Sequence, residues 1–296
     1  MIENKPFFSV ILPTHNRSTL LKRAIKSVIE QEFEDWELII VDDGSTDDTG
    51  NIVETFHDSR INYIYQENGM VAKARNNGII KSRGEYICFL DDDDEYLEIH
   101  LKILNSKIKE NSNPIALFFT LCYRETKGLL EKIDDCKSTP ESPILLGYNP
   151  ETPNICIHKN ILDVHSFNEK LLMRSDAELW GRIAKKFPVV RINEYTTIIH
   201  MHDDLKLSQH NHKTYLELER TYDYIFSTRD QRVHIPKEAE KRIRVDIYLK
   251  LFSYYKNLPS GKCIKYLIKL LRINFKSILI FQFRRILSNA KHKFSV

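Results

Sequence analysis

Cysteine is scarce and unpaired in this chain: five residues (Cys88, Cys122, Cys136, Cys156, Cys263), with no CxxC spacing and no tight cluster. That pattern excludes a disulfide framework, and a reducing, cytosolic compartment is expected. Glycine and proline are few as well, 9 and 10 in 296 residues, so collagen-like and low-complexity readings fall away. No window of 18 uncharged apolar residues occurs, so no segment is expected to cross a bilayer. The opening MIENKPFFSVILP lacks the basic region and long apolar core of a secretory leader. The sequon Asn16-Arg17-Ser18 therefore carries no weight. Acid is missing from the C-terminal end. Asp246 is the last acidic residue and residues 261–296 carry nine Lys/Arg, so the first 260 residues sum to −6 against a chain total of +3. The composition is that of an acidic body with a basic tail.

What is present in the first 125 residues is an alternation of short apolar runs and helical stripes. FFSVIL (7–12), WELIIV (36–41), INYIYQ (61–66), YICFL (86–90) and IALFFTLCY (115–123) read as strands. Between them, Leu21, Ala24, Ile25, Val28 and Ile29 share one helical stripe, with Ser18 or Thr19 as its cap. Further helices are expected over about 47–57, from Gly69 through Ala72, Ala74 and Ile79, and over about 96–110. Runs that are apolar throughout suit strands buried on both faces, so the fold class is α/β with an open, mostly parallel sheet flanked by helices. Ligands in such sheets bind beyond the carboxyl ends of the strands, near the switch point. Three polar clusters sit there: PTHNR (13–17), DDGS (42–45) and DDDDE (91–95).

Adjacent carboxylates repel unless a cation or solvent compensates them. A divalent cation on one or two carboxylates plus substrate phosphates is the usual arrangement for Mg²⁺ or Mn²⁺. A calcium loop starting at Asp91 would need Gly and Glu at its sixth and twelfth positions, where this chain has Tyr96 and Lys102. Neither GxGxxG after the first strand nor GxxxxGK(S/T) is present, which removes dinucleotide and P-loop readings. A phosphoaspartyl hydrolase would want aspartates where PTHNR stands.

Together FSVILPTHNR, AIKSVIEQEFEDWELIIVDDGSTDDT, ARNNGI and GEYICFLDDDDEY resemble the nucleotide-sugar-binding half of the inverting family 2 glycosyltransferases of the GT-A fold. The resemblance covers residues 7 to about 110 and continues more weakly through 167–187 and 198–208. It implies metal-dependent transfer of a sugar from a nucleotide donor, expected to be a UDP-sugar, to a hydroxyl of a glycan or lipid-linked acceptor in bacterial cell-surface polysaccharide synthesis. It also implies roles. Pro13, Thr14 and Arg17 would lie against the nucleotide, Asp43 would accept from the uracil ring N–H, and Arg75 would stand close by. Asp91, Asp92 and Asp93 overlay the family's acidic motif on the nucleotide side, where one early carboxylate would meet the ribose and the last, Asp93, would meet Mn²⁺ or Mg²⁺. His202 matches a histidine near the metal or diphosphate in some members, while His200 stands where arginine is commoner. Asp176 matches the carboxylate that acts as base, although Ser175 replaces the acid expected before it. Its nearest competitor is Glu178, and a first-turn carboxylate at 176 is also a plain helix cap. A sugar nucleotidyltransferase would want a glycine- and basic-rich first loop, and a non-catalytic, membrane-docked scaffold would not need Asp43, Asp93 and Asp176 intact.

The expected organisation is a catalytic domain over 1–210, its donor half about 1–110 and acceptor half about 111–210, followed by a helical region over 211–296. In the last segment Ile264, Leu267, Ile268, Leu271, Phe275, Ile278 and Leu279 read as one stripe beside Lys265, Lys269, Arg272 and Lys276. A basic amphipathic tail over 262–293 suits an anionic membrane surface, and so peripheral attachment to the inner face of the cell membrane; nucleic acid is not expected as a partner.

Overall fold

Every side chain of β1 (Phe8–Thr14) and β2 (Trp36–Asp42) is buried, because both strands lie in the middle of a sheet covered on its two faces. The computed structural model describes residues 5–134, 150–201, 212–227, 237–256 and 261–273, which fall into two compact units. In the first unit the chain continues through α1 (Ser18–Ile29), α2 (Thr49–Glu54), β3 (Ile61–Tyr65), α3 (Met70–Lys81), β4 (Tyr86–Phe89), β5 (Glu95–Tyr96) and α4 (His100–Glu110). It then forms β6 (Leu117–Thr126), β7 (Leu129–Ile133), β8 (Ile155–His158), α5 (Lys159–Leu162), α6 (Ser175–Ala184) and β9 (Val189–His200).

The strand order is β3-β2-β1-β4-β8-β6-β9-β5, with β7 hung on β6. The first four strands are parallel, as the apolar runs led us to expect. Beyond them the sheet is mixed: β8 runs antiparallel between β4 and β6, so β6 is not a neighbour of β4. A strand apolar on both faces carries no mark of direction, which is why composition could not reveal this. The period of two survives inside the buried runs. Val10 and Leu12 face a layer with Leu21, Ala24, Ile25, Leu101 and Leu104, while Ile11 faces one with Ala72, Ile79, Leu179 and Trp180.

Three local expectations differ from what is observed. The edge strand β3 is half exposed rather than buried on both faces. Glu95 and Tyr96 pair with β9, so the following helix begins at His100, not near 96. The start of α1 is capped by neither Ser18 nor Thr19. Instead the Asp47 carboxylate, from the loop after β2, accepts from the Ser18 amide at 3.1 Å.

β1 ends beside both β2 and β4 in register (Thr14 opposite Asp42, Ile11 opposite Phe89). The chain leaves β1 toward β2 and β3 on one side and returns to β4 on the other. This is the switch point of the sheet, and it brings PTHNR, DDGS and DDDDE together.

The second unit packs α7 (His212–Ser227), α8 (Lys237–Tyr255) and α9 (Lys262–Ile273) around Ile247, Tyr248, Leu251, Tyr255, Tyr266 and Leu270. Tyr255 and Tyr266 stack at 5.7 Å, and the Tyr266 hydroxyl donates to Glu219 at 2.9 Å. None of the described helices is long and apolar enough to cross a membrane.

At the opposite end of the sheet, Gly84 touches β1 so closely that a Cβ would sit 2.5 Å from the Ser9 amide nitrogen. Its own amide donates to the Ser9 hydroxyl at 2.8 Å, and that hydroxyl donates to buried Glu37 at 2.6 Å. Backbone cannot yield as a side-chain tip can. Gly84→Ala should therefore cost about 1–3 kcal/mol in urea unfolding, and a variant as stable as wild type would show that this contact relaxes freely.

Candidate active site

The run Asp91–Glu95 leaves β4 with five carboxylates in a row, and each has a partner inside the protein. Asp91 meets Arg75 of α3 at 2.5 Å. Asp92 accepts from the Thr14 hydroxyl at 2.8 Å on one oxygen and from Arg17 at 2.9 Å on the other. The same Arg17 nitrogen, Nη1, lies 3.0 Å from Asp93. Asp94 accepts from the His200 backbone amide at 2.9 Å, and Glu95 lies 2.9 Å from His200 Nε2. Arg23 of α1 donates to the Asp93 carbonyl at 2.5 Å.

Asp92, Asp93 and Asp94 are buried, so protein groups rather than solvent compensate them. Burial pushes the Asp92 carboxyl up to about 6, although Arg17 and Thr14 pull the other way. For Arg17, burial works against the charge, but Asp92 and Asp93 outweigh it and raise the guanidinium pKa.

The loop after β2 is built around two aspartates with different jobs. Asp42 spends both oxygens on structure, accepting from the Ser45 amide at 2.8 Å and the Tyr63 hydroxyl at 2.6 Å. Gly44 follows with φ +80°, a left-handed turn where a Cβ would also come within 2.9 Å of the Asn68 amide nitrogen. Asp43 is buried and uses only Oδ1, which accepts from Gln66 Nε2 at 2.7 Å and the Gly69 amide at 2.8 Å. Its Oδ2 makes no hydrogen bond among the described residues.

The ARNN stretch of α3 serves three neighbours in turn. Arg75 holds Asp91, Asn76 exchanges hydrogen bonds with the backbone of Phe167 at 2.9 and 3.0 Å, and Asn77 donates to Gln66 Oε1 at 2.8 Å. The Asn77 bond fixes which end of the Gln66 amide faces Asp43. Gln66 and Arg23 escaped the sequence reading, and Gly69 figures there only as a helix start, because single residues in loops and on a helix carry no local signature.

Asp176 lies in the first turn of α6, half-buried, with its nearest hydrogen bond at 3.4 Å from the Thr152 hydroxyl. Its rival is committed elsewhere. Glu178 is buried and chelated by Arg182 through Nε at 2.7 Å and Nη2 at 2.9 Å. Among the described residues no hydrogen bond links Asp176 to the acidic run. Pro13 sits within β1 opposite Val41. His202 lies outside the described residues; His200 forms the double carboxylate contact, reaching Glu125 at 3.2 Å as well as Glu95.

These sites suit a hard divalent cation only with help from a ligand. Asp91 and Asp93 each keep one oxygen that makes no hydrogen bond among the described residues, but no three His, Cys, Asp or Glu converge there into a cage. Oxygen donors in that number match the habit of Mg²⁺ and Mn²⁺, which take one or two carboxylates and complete their shell with substrate phosphates and water.

The sequence profile of glycosyl transferase family 2 matches residues 9–167. A GalNAc(5)-diNAcBac-PP-undecaprenol beta-1,3-glucosyltransferase of Campylobacter jejuni is 30% identical over 294 residues, covering 93% of this chain and 89% of that protein. The chain belongs to glycosyl transferase family 2. This transferase also matches a putative colanic acid biosynthesis glycosyl transferase, WcaA of Escherichia coli, at 42% identity over 34% of this chain and 38% of that one. Among solved structures, S. aureus TarS 1-349 in complex with UDP-GlcNAc superposes with a TM-score of 0.66 at 18% identity, covering 90% of this chain and 81% of that one. Mannosyltransferase PcManGT from Pyrobaculum calidifontis, in complex with GDP-Man and Mn2+, gives 0.58 at 15%, covering 98% and 87%. At that identity the likeness is one of fold, and the fold is GT-A.

The Asp43 geometry makes a direct prediction. If the open oxygen of buried Asp43 accepts from a uracil ring N–H, as the family resemblance implies, its removal should weaken UDP binding by about 1.5–3 kcal/mol. Calorimetric titration of Asp43→Ala with UDP measures this, and unchanged affinity would remove Asp43 from the nucleotide site.

Proposed function

We propose that this transferase moves one sugar from a UDP-sugar to a hydroxyl of a lipid-linked glycan, with inversion at the anomeric carbon, during bacterial cell-surface polysaccharide synthesis. The observation that carries the donor assignment is Asp43, buried at the switch point with one oxygen satisfied and one open. Uracil offers a single ring N–H to such an oxygen. Guanine presents two neighbouring donors and would be better served by a carboxylate with both oxygens open. The acceptor class rests on the relative from Campylobacter jejuni, whose name specifies an undecaprenol-linked diphosphate substrate.

In the proposed reaction the acceptor oxygen attacks C1 from the face opposite the diphosphate. The C1–O bond to phosphate breaks, and its electron pair leaves with the diphosphate. Asp176 takes the acceptor proton, while Glu178 cannot serve because Arg182 holds both its oxygens. Thr14 and Arg17 lie along the nucleotide, and Asp91, with an open oxygen, is better placed for the ribose than Asp92, whose oxygens are both engaged. Asp93 would hold Mn²⁺ or Mg²⁺, which when bound neutralises charge on the leaving diphosphate. Asp176→Asn should keep UDP affinity within a few fold and lower turnover by about 10²–10⁴. Single-turnover rates with a saturating donor test this, and a larger loss in Glu178→Gln than in Asp176→Asn would reverse the assignment.

We further propose peripheral contact with an anionic leaflet through α9. The expected single apolar stripe is divided in the structure. Tyr266 and Leu270 are buried in the core of their unit, while Ile264, Ile268 and Leu271 are 58%, 43% and 39% exposed on another side of the helix. At 100° per residue, Lys265 and Arg272 border that outer stripe, and no acid lies beyond Asp246. An exposed apolar stripe bordered on one side by cations suits lipid headgroups, each basic residue contributing about 1 kcal/mol near an anionic surface. Exchanging Ile264, Ile268 and Leu271 for serine should abolish sedimentation with phosphatidylglycerol vesicles and leave thermal stability near wild type. High salt should weaken wild-type binding. Equal binding by the triple variant, or equal binding to neutral vesicles, would rule this surface out.

A further inference from the structure

Both hydrogen bonds to Asp43 Oδ1 come from the segment that joins β3 to α3. Gln66 Nε2 donates at 2.7 Å and the Gly69 amide at 2.8 Å. A carboxylate oxygen accepts about two such bonds, so Oδ1 is filled while Oδ2 keeps its capacity. The two donors differ in kind. The Gly69 amide is backbone at the start of α3 and can only donate. Gln66 presents a side-chain amide, which would turn a carbonyl oxygen toward the carboxylate if it were rotated end for end. Asn77 of α3 opposes that rotation by donating to Gln66 Oε1 at 2.8 Å. The Asp43 backbone is pinned as well. Its amide donates to the Thr14 carbonyl at 2.9 Å, and its own carbonyl accepts from Asn68 at 3.0 Å and lies 2.8 Å from His15 Nδ1.

The filling of Oδ1 bears on which base the carboxylate can serve. A uracil has one ring N–H and needs one acceptor, which Oδ2 supplies. A guanine edge carries two neighbouring donors, on N1 and N2, and pairs best with a carboxylate that offers one oxygen to each. With Oδ1 taken by Gln66 and Gly69, that paired arrangement is closed. We propose that Gln66, oriented by Asn77, sets the base selectivity of the donor site by withholding Asp43 Oδ1, which favours uracil over guanine. Gln66 is thus a positioning residue that acts through Asp43, and Asn77 positions it in turn. The proposal rests on the reading of Asp43 as the acceptor for the base.

Calorimetric titration with UDP and with GDP, at one fixed Mn²⁺ concentration, reads the selectivity directly. Wild type should bind UDP more tightly than GDP by at least about tenfold, the worth of one hydrogen bond to a charged group. Gln66→Met keeps the length of the side chain but removes its donor and reopens one position on Oδ1. The ratio of UDP to GDP affinity should then narrow by roughly tenfold. Asn77→Asp keeps the size of the side chain, but its carboxylate draws the N–H₂ end of Gln66 away from Asp43, so the ratio should narrow in the same sense. A glutamine that only supported the loop would lower both affinities together and leave their ratio unchanged. If Gln66→Met keeps the wild-type ratio while Asp43→Ala loses UDP affinity, the selectivity role is overturned and the base contact stands. If Asp43→Ala binds UDP as wild type does, the base contact is overturned and the selectivity role with it. Wild type that binds GDP as tightly as UDP also overturns the proposal. Should Gln66→Met fail to fold, Asn77→Asp decides by the same ratio.

Discussion

Five consecutive carboxylates at the end of a buried strand impose the condition that the rest of this unit meets. Charge of one sign at that density, with Asp92, Asp93 and Asp94 buried, is tolerated only when cations and hydrogen-bond donors are fixed around it. These cations and donors come from separate places in the chain. Arg17 and Arg23 arrive from the start of α1, Arg75 from α3, and His200 from the end of β9. The first two elements lie on different sides of the sheet, as their core partners show. Holding Asp91–Glu95 in place therefore holds the switch point together.

The same accounting of oxygens separates carboxylates that look alike in sequence. Asp42 and Glu178 have both oxygens engaged by fixed donors and serve the fold. Asp43, Asp91 and Asp93 each engage one oxygen within the protein. A carboxylate held by one oxygen is oriented yet still able to accept from a ligand, which is the condition a preorganised site requires. The pattern falls on the clusters that end β2 and β4.

The helical unit shows the same economy in apolar terms. α9 spends Tyr266 and Leu270 on its own core, yet still presents a second apolar stripe with cations beside it. A helix that only packed by one face would carry polar residues there. Its sequence therefore carries two apolar sides, and among the described residues one of them is buried in the core of its unit.

The sequence alone determined the four parallel strands, the three polar clusters and their place at strand ends. Those features are local: an apolar run, a turn, a short acidic motif, each readable within ten residues. It also singled out Asp43, Asp93 and Asp176, because the motifs around them are contiguous. Tertiary structure alone decided the rest. The antiparallel insertion of β8 between β4 and β6 joins residues seventy apart, and a strand buried on both faces bears no sign of its direction. Gln66 and Gly69 reach Asp43 from 23 and 26 residues away, and Arg17 reaches Asp92 across 75. Which oxygen stays open, and which arginine holds the other, depends on distances between elements. No periodicity within an element records those distances.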